Sequence, residues 1–164
     1  MGEGVGKTTA AAGLALRAAS HGKQVRILGL LKPAVSPEFA ALQTLGNVSV
    51  TVANPDIPFF FMLSPDQKQA RIQETEQAVK SFLVSKAGDF LLVLDEAGGA
   101  MENGMLKAND LLFWLSRLPS TTHIALTGRY FPQEILDKAD CISEIRCVRH
   151  PFDSGMQAQE GLEY

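Results

Sequence analysis

The sequence has little that would suit it to a membrane, to secretion or to nucleic acid. No apolar run approaches the ~20 residues that a bilayer crossing needs, and the first residues are glycines and a lysine instead of the apolar core of a signal peptide. Lys and Arg number 15 against 18 Asp and Glu, which gives a formal net charge of -3. Because nucleic-acid phosphates are bound by basic surfaces, this mild acidity argues against a nucleic-acid partner. We expect a cytoplasmic protein without a membrane-spanning segment.

Cysteine is also scarce. The two cysteines, Cys141 and Cys147, fall on one predicted strand, where six residues of extended chain separate them by ~20 Å. That distance is too long for a disulfide, so we expect two free thiols, as is usual in the cytoplasm. No matching Cys or His pair points to a Cys/His metal site.

Apolar periodicity divides the chain into alternating helices and strands, which we expect to form one domain over residues 1–164. We predict helices at 8–21, 38–45, 65–86, 107–117 and 132–139, and strands at 24–31, 48–53, 89–95, 122–127 and 141–148. Alternation of this kind predicts a three-layer α/β fold, a mostly parallel sheet with helices on both faces.

Glycines at the amino terminus form the most informative motif. Residues 1–9 read MGEGVGKTT and lead directly into an alanine-rich helix. Gly4 and Gly6 let the backbone curl until its N–H groups face phosphate oxygens, and the helix N-terminus adds partial positive charge. Lys7 can reach the terminal phosphates, and the Thr8 hydroxyl can bind magnesium. The pattern GxxxxGK[ST] fails only at its first position, which is methionine here, and a loose glycine-rich turn is the alternative.

The loop points to a P-loop NTPase-like fold of the RecA-like kind, in which the phosphate loop follows a buried strand. No such strand precedes the loop in this sequence. We expect a sheet without that central strand to expose unpaired edges and apolar surface.

An acidic strand supplies the second half of a nucleoside-triphosphate site. Residues 91–96 read LLVLDE, so an apolar strand delivers Asp95 and Glu96 at its carboxyl end. Ligands of open α/β sheets bind beyond the carboxyl ends of the strands. The two carboxylates can therefore hold magnesium, directly or through water, beside Thr8. The alternative is a strand that simply ends in solvated acids.

Two further features are ambiguous. Arg129 follows the next strand, where its guanidinium can bind phosphate through two parallel hydrogen bonds, although it can equally be a surface arginine. Phe59, Phe60 and Phe61 form an aromatic cluster in a proline-bounded loop, either packed in the core or lining a flat apolar ligand.

Catalytic side chains of several common kinds are missing. Neither a protein-kinase base nor a Ser-His-Asp or Cys-His arrangement stands out in the sequence. We therefore expect the chain to bind and position a nucleotide, with the attacking group coming from elsewhere.

Four segments together resemble the P-loop type of ATP:corrinoid adenosyltransferase from the bacterial cobalamin pathway. Together they cover about half of the chain. The closing segment, RHPFDSGMQAQEGLEY, is the most specific, since general nucleotide-binding enzymes lack it. The segments are GEGVGKTTAAAGLALRAASHGKQV, LLVLDE, LTGRYFPQEILDKADCISEI and RHPFDSGMQAQEGLEY.

The resemblance implies an activity and a set of partners. The enzyme would transfer the 5′-deoxyadenosyl group of ATP to the cobalt of a reduced corrinoid and release triphosphate. Cobalt(I) would itself attack the ribose C5′, in agreement with the absence of a protein base. The family also implies Mg²⁺, a homodimer and electrons from a reduced flavoprotein.

The resemblance also assigns roles to residues. The triphosphate would be held by the loop, magnesium would lie near Thr8 and Glu96, and two arginines would contact the nucleotide or its phosphates. Two aromatic side chains of the central loop would help to displace the lower ligand of cobalt. The residues that match these roles are Gly4, Gly6, Lys7, Thr8 and Thr9 for triphosphate, Arg17 and Arg129 for the nucleotide, and Phe59 and Phe61 for the corrinoid.

Several positions depart from the family pattern. Glu3 stands where asparagine is usual and Val5 where lysine is usual, so both changes oppose phosphate binding, each by on the order of 1–3 kcal/mol. Residues 33–64, where the corrinoid would make contact, match the family poorly. Two alternatives therefore stay open: a P-loop ATPase or small-molecule kinase, and a degenerate nucleotide- or corrinoid-binding protein with little activity.

Overall fold

A computed structural model describes residues 1–53, 60–84, 88–151 and 155–162. Its centre is a sheet in which all pairings are parallel and the strand order is β2-β1-β3-β4. The strands are β1 (Gln24–Gly29), β2 (Val48–Val52), β3 (Asp89–Asp95) and β4 (His123–Leu126). The predicted parallel α/β architecture is therefore confirmed.

The two central strands are covered on both faces. In β1 every residue after Gln24 is buried, and in β3 the last five residues are buried. Ile27 of β1 lies opposite Val50 on one side and Val93 on the other. Apart from the charged Arg26 and Asp95, these buried residues are apolar or glycine, as expected for a parallel sheet between two helical layers.

Helices lie on both faces of the sheet. One apolar cluster joins α1 and α2 to residues such as Ile27 and Val93, and the other joins the remaining helices to residues such as Leu28 and Leu92. The helices are α1 (Lys7–Ser20), α2 (Pro37–Gln43), α3 (Pro65–Phe82), α4 (Ala97–Glu102), α5 (Ala108–Leu115) and α6 (Gln133–Leu136). None of the described helices has both the length and the apolar character that a bilayer crossing would take.

Small side chains bring α1 close to the sheet. Its buried residues are all alanines, and Ala15 at the centre is completely buried. Gly6, with φ 98°, is the N-cap of the helix, and Gly22, with φ 72°, follows its end. The helix therefore begins where the phosphate loop ends, as the sequence predicted.

Three helices differ clearly from the predictions, and one of them, α6, spans only Gln133–Leu136 instead of 132–139. α3 begins with a capping box in which Ser64 and Gln67 bond each other's backbone N–H groups. It ends at Phe82, earlier than predicted, and residues 85–87 lie outside the described part of the chain. α4 was not predicted, because the pair Gly98 and Gly99 is poor in helix propensity.

The predicted strand at 141–148 is wrong. The described residues of this segment form no strand, and nearly all of them are exposed. The N–H of Ile145 donates to the carbonyl of Met1, and the N–H of Gly4 donates to the carbonyl of Ile145. The N-terminal residues that this segment meets are too few to form the repeated hydrogen bonds of a strand pairing. β4 is one of the two edge strands of the four-stranded sheet, and its residues are exposed or half-buried. Cys141 and Cys147 are exposed free thiols, as predicted.

Candidate functional site

The glycines of the loop are needed for two different reasons. A Cβ on Gly4 would lie 2.7 Å from Cγ2 of Ile145, so only glycine permits this close approach. Gly6 has no such neighbour, but its positive φ of 98° belongs to the region that favours glycine. The loop is therefore fixed by the contact with Ile145 at one point and by a left-handed turn at the other.

Lys7 gives the loop its positive charge. Its Nζ donates to the carbonyl of Gly4 at 2.7 Å, so the side chain folds back over the loop at the N-terminus of α1. The pKa of the Met1 amino group is lowered, first by burial and then by the charge of Lys7. A cationic side chain and a helix N-terminus side by side favour a bound anion.

Asp95 is the buried centre of the site. Its side chain is fully buried at the carboxyl end of β3. The hydroxyl of Thr8 lies 3.1 and 3.2 Å from its two oxygens, and the hydroxyl of Thr127 donates at 2.7 Å. The ammonium of Lys32 lies 2.7 Å from Oδ2. The carboxylate thus joins the phosphate loop, β1 and the end of β4.

Glu96 is held in an unusual backbone conformation. Its φ of 62° makes it the only non-glycine residue with positive φ among those that the structure describes. Its N–H donates to Oγ1 of Thr127 at 2.9 Å, and α4 begins at the next residue. A left-handed non-glycine residue costs about 1–3 kcal/mol and is concentrated at functional sites.

The donor set suits a hard divalent cation. Hydroxyl and carboxylate oxygens are the ligands that magnesium prefers, together with phosphate oxygens and water. Thr8 and Asp95 already lie in contact, and Glu96 follows Asp95 directly. In the described part of the chain, no three His, Cys, Asp or Glu side chains cluster closely enough to hold a metal by themselves. A metal bound here would therefore take some of its ligands from the protein and the others from a nucleotide.

Arg129 lies at the rim of the site. Its Nη1 is 3.6 Å from Oε2 of Glu3, and both side chains are mostly exposed. The backbone just before it packs tightly, because a Cβ on Gly128 would lie 2.5 Å from Cα of Gly98. The N–H of Gly98 also donates to the carbonyl of Thr127 at 3.1 Å. The segment that carries Arg129 is thus attached to the start of α4.

Some predicted site residues lie away from this cluster. The hydroxyl of Thr9 points to Oε1 of Glu38, at 3.4 Å. Arg17 is exposed in the last turn of α1, ~15 Å along the helix axis from Lys7. Phe59 and the side chain of Phe61 lie outside the described residues.

Sequence reasoning missed two residues of the site. It overlooked Lys32, and it quoted Thr127 only as part of a segment, although both contact Asp95. Each follows the carboxyl end of a strand in this parallel sheet, which is where ligands of such sheets bind. That position is the signal that would have found them.

The glycine loop, the helix that it begins and the buried acid at the end of a parallel strand define a P-loop nucleotide-binding protein. The profile of the family described as "ATP:corrinoid adenosyltransferase BtuR/CobO/CobP" matches residues 1–164. The chain belongs to this family.

Curated relatives agree with the assignment. The chain is 32% identical to a corrinoid adenosyltransferase of Escherichia coli strain K12, over 99% of this chain and 82% of the relative. It is 31% identical to the corrinoid adenosyltransferase CobA of Salmonella typhimurium, over 99% and 82%. It is 28% identical to a corrinoid adenosyltransferase of Pseudomonas aeruginosa, over 99% and 80%.

Proposed function

We propose that this protein transfers the 5′-deoxyadenosyl group of ATP to the cobalt of a reduced corrinoid, in the synthesis or salvage of adenosylcobalamin. The observation that carries the proposal is the family match over residues 1–164. The nucleophile would be the cobalt(I) of the substrate, so the protein needs no base of its own. We also take residues 1–164 to form one domain.

The phosphate loop would hold the triphosphate of ATP. The backbone N–H groups that follow Gly4, at the N-terminus of α1, provide donors and partial positive charge, whereas the N–H of Gly4 itself already donates to the carbonyl of Ile145. Lys7 would exchange the carbonyl of Gly4 for a phosphate oxygen, and Thr8 and Thr9 would complete the loop. Because the leaving group is triphosphate, charge placed here lowers the barrier to its departure.

Thr8, Asp95 and Glu96 would hold Mg²⁺. The support is the contact between the Thr8 hydroxyl and both oxygens of the fully buried Asp95 carboxylate. When bound, magnesium would neutralise charge on the triphosphate. The protein's own part is to keep the Asp95 carboxylate oriented, which Thr127 does through a 2.7 Å hydrogen bond.

Other assignments extend the site outward. Arg129 would bind the departing triphosphate after releasing Glu3, and Arg17 would contact the nucleotide. Phe59 and Phe61 would line the corrinoid and favour loss of the lower ligand of its cobalt. Catalysis would then consist of positioning and charge neutralisation.

The remaining proposals concern the setting. We propose a homodimer that takes electrons from a reduced flavoprotein, as the family resemblance implies. The two exposed free thiols, Cys141 and Cys147, suit the reducing cytoplasm.

One assay separates this function from its alternatives. The protein is incubated with ATP, magnesium and chemically reduced corrinoid, the corrinoid spectrum is followed, and the phosphate product is identified. We expect adenosylated corrinoid and triphosphate, formed only when both substrates are present. ADP and phosphate would indicate a kinase or ATPase instead, and binding without turnover would indicate a degenerate binding protein.

A further inference from the structure

The side chain of Lys32 lies among the oxygens that we assign to magnesium. Lys32 follows the carboxyl end of β1, and its Nζ is 2.7 Å from Oδ2 of Asp95. The ammonium also donates to Oγ1 of Thr8 at 3.1 Å and to Oγ of Ser36 at 2.8 Å. Two of these three partners are side chains of the proposed metal site.

An ammonium and a magnesium ion cannot share these oxygens. Magnesium binds oxygen at about 2.0–2.1 Å in near-octahedral geometry. The nitrogen of Lys32 already lies within hydrogen-bond distance of Thr8 and Asp95. Two cations this close repel each other strongly, because the fully buried carboxylate between them leaves little room for screening water.

We propose that Lys32 is a positioning residue that takes the place of the metal in the free protein. Its ammonium holds Thr8 and Asp95 in their binding geometry and moves aside when magnesium arrives with the nucleotide. This inference rests on the magnesium site proposed above. Its physical basis is that a buried carboxylate without a counter-charge is strongly destabilising, so Asp95 needs a cation between turnovers.

The displaced ammonium has other partners within reach. Ser36, the N-cap of α2, already accepts a hydrogen bond from it. The side chain of Lys32 is 26% exposed, and its flexible stem allows the ammonium to shift. A triphosphate on the neighbouring loop would add negative oxygens. Magnesium should therefore bind more readily together with the nucleotide than on its own.

The test uses the metal without any substrate. Thermal unfolding of the wild-type chain, of Lys32→Met and of Lys138→Met is measured in EDTA, in millimolar MgCl₂ and in NaCl of equal ionic strength. Lys138 is an exposed lysine after α6 and serves as the matched control. We expect Lys32→Met to unfold several degrees lower in EDTA and to be restored by MgCl₂. The wild type and Lys138→Met should respond equally to MgCl₂ and NaCl.

A second measurement keeps the inference testable if Lys32→Met folds poorly. Binding of Mn²⁺ alone is followed by electron paramagnetic resonance for the wild type, Lys32→Gln and Lys32→Arg. The glutamine variant should bind one Mn²⁺ on the order of tenfold more tightly than the wild type, and the arginine variant should show no gain. Equal Mn²⁺ affinity in Lys32→Gln and the wild type would overturn the inference.

Calorimetry with ATP separates this inference from its premise. If the wild type binds ATP equally well with and without magnesium, the proposed metal site fails and the role of Lys32 fails with it. If ATP binding requires magnesium and Lys32→Gln gains no affinity for the metal alone, only the role of Lys32 fails.

Discussion

Glu3 and Arg129 form an ion pair of 3.6 Å at the rim of the phosphate loop. The Glu3 carboxylate is thus paired with the arginine that we propose binds the triphosphate. The side chains are 67% exposed for Arg129 and 76% for Glu3, so water and salt screen the pair. The penalty that Glu3 imposes on ATP binding is therefore at the lower end of the range expected from the sequence.

Replacing Glu3 by asparagine should tighten ATP binding. Glu3→Asn removes a negative charge beside the phosphates and releases Arg129 from its ion pair. Because the pair is exposed, we expect a gain of about 1 kcal/mol or less, which is up to about fivefold in Kd, and it should shrink at high salt. Calorimetry at two salt concentrations checks this, with Glu134→Gln on α6 as the control. Weaker binding by Glu3→Asn would show that Glu3 helps to build the loop.

Removing the charge of Lys7 should abolish ATP binding and leave the fold intact. Lys7→Ala loses a hydrogen bond to the carbonyl of Gly4, and Lys7 itself is only half-buried. We expect binding to fall below what calorimetry detects, with Kd for ATP raised by about a hundredfold or more, because a charge-assisted bond to phosphate disappears. Calorimetry measures the affinity, circular dichroism checks the fold, and Lys138→Ala is the control. Equal affinity in Lys7→Ala would move the nucleotide site away from this loop.

Glycine at position 96 should stabilise the fold while impairing the site. Glu96 has φ 62°, which glycine adopts without strain. We expect Glu96→Gly to raise the free energy of unfolding in urea by about 1 kcal/mol and Glu96→Gln to leave it unchanged. Both variants should weaken magnesium-dependent ATP binding. If Glu96→Gly is less stable than the wild type, its backbone is not strained.

Alanine at position 128 should be strongly destabilising. Its Cβ would lie 2.5 Å from Cα and 2.6 Å from the backbone nitrogen of Gly98, and no flexible side chain is available to yield. We expect a loss of about 2–3 kcal/mol, measured by urea unfolding.

The control for this variant is Gly13→Ala in α1. A Cβ there meets nothing within 4 Å, so alanine should stabilise the helix by about 0.5–1 kcal/mol. Similar losses in both variants would show that the packing of Gly128 against Gly98 is not the cause.

A charged pair inside the sheet should be important for stability. Nη1 of Arg26 is 3.2 Å from Oδ2 of Asp89, and the two side chains are only 9% and 5% exposed. Arg26→Met leaves that carboxylate buried without its arginine and should cost about 3 kcal/mol in urea unfolding. Adding Asp89→Asn should recover part of the loss. If the double variant is no more stable than Arg26→Met, the pair is not the source of the effect.

The core elements could be predicted from sequence because their apolar periodicity matches the structure. β3 was predicted with its observed bounds, and α1 within one residue at each end, since both combine apolar residues with clear end signals. α4 was not predicted, because its stability comes from tertiary contacts. Gly98 packs against Gly128, and Glu96 before it is held by Thr127. Local propensity cannot show such contacts.

Residues of the site could be predicted where a single sequence motif contains them. Contacts between segments that are distant in sequence could not be predicted in this way. The loop with Lys7 and Thr8 was visible as a motif. The contact of Lys32 with Asp95 joins the ends of two strands, and the ion pair of Glu3 with Arg129 joins residues far apart in sequence. The order of the strands brings Lys32 and Asp95 together, and neither that order nor the position of the N-terminal loop beside Arg129 can be read from spacing alone.

The contact between Gly4 and Ile145 also has a consequence for synthesis. The glycine loop leaves the ribosome long before Ile145, which donates to Met1 and accepts from Gly4. Contacts of such high sequence separation form late, because the intervening chain must first be ordered. ATP can therefore stabilise the loop only after synthesis has passed Ile145, and a nascent chain that stalls before this residue would contain the loop's residues without the loop's conformation.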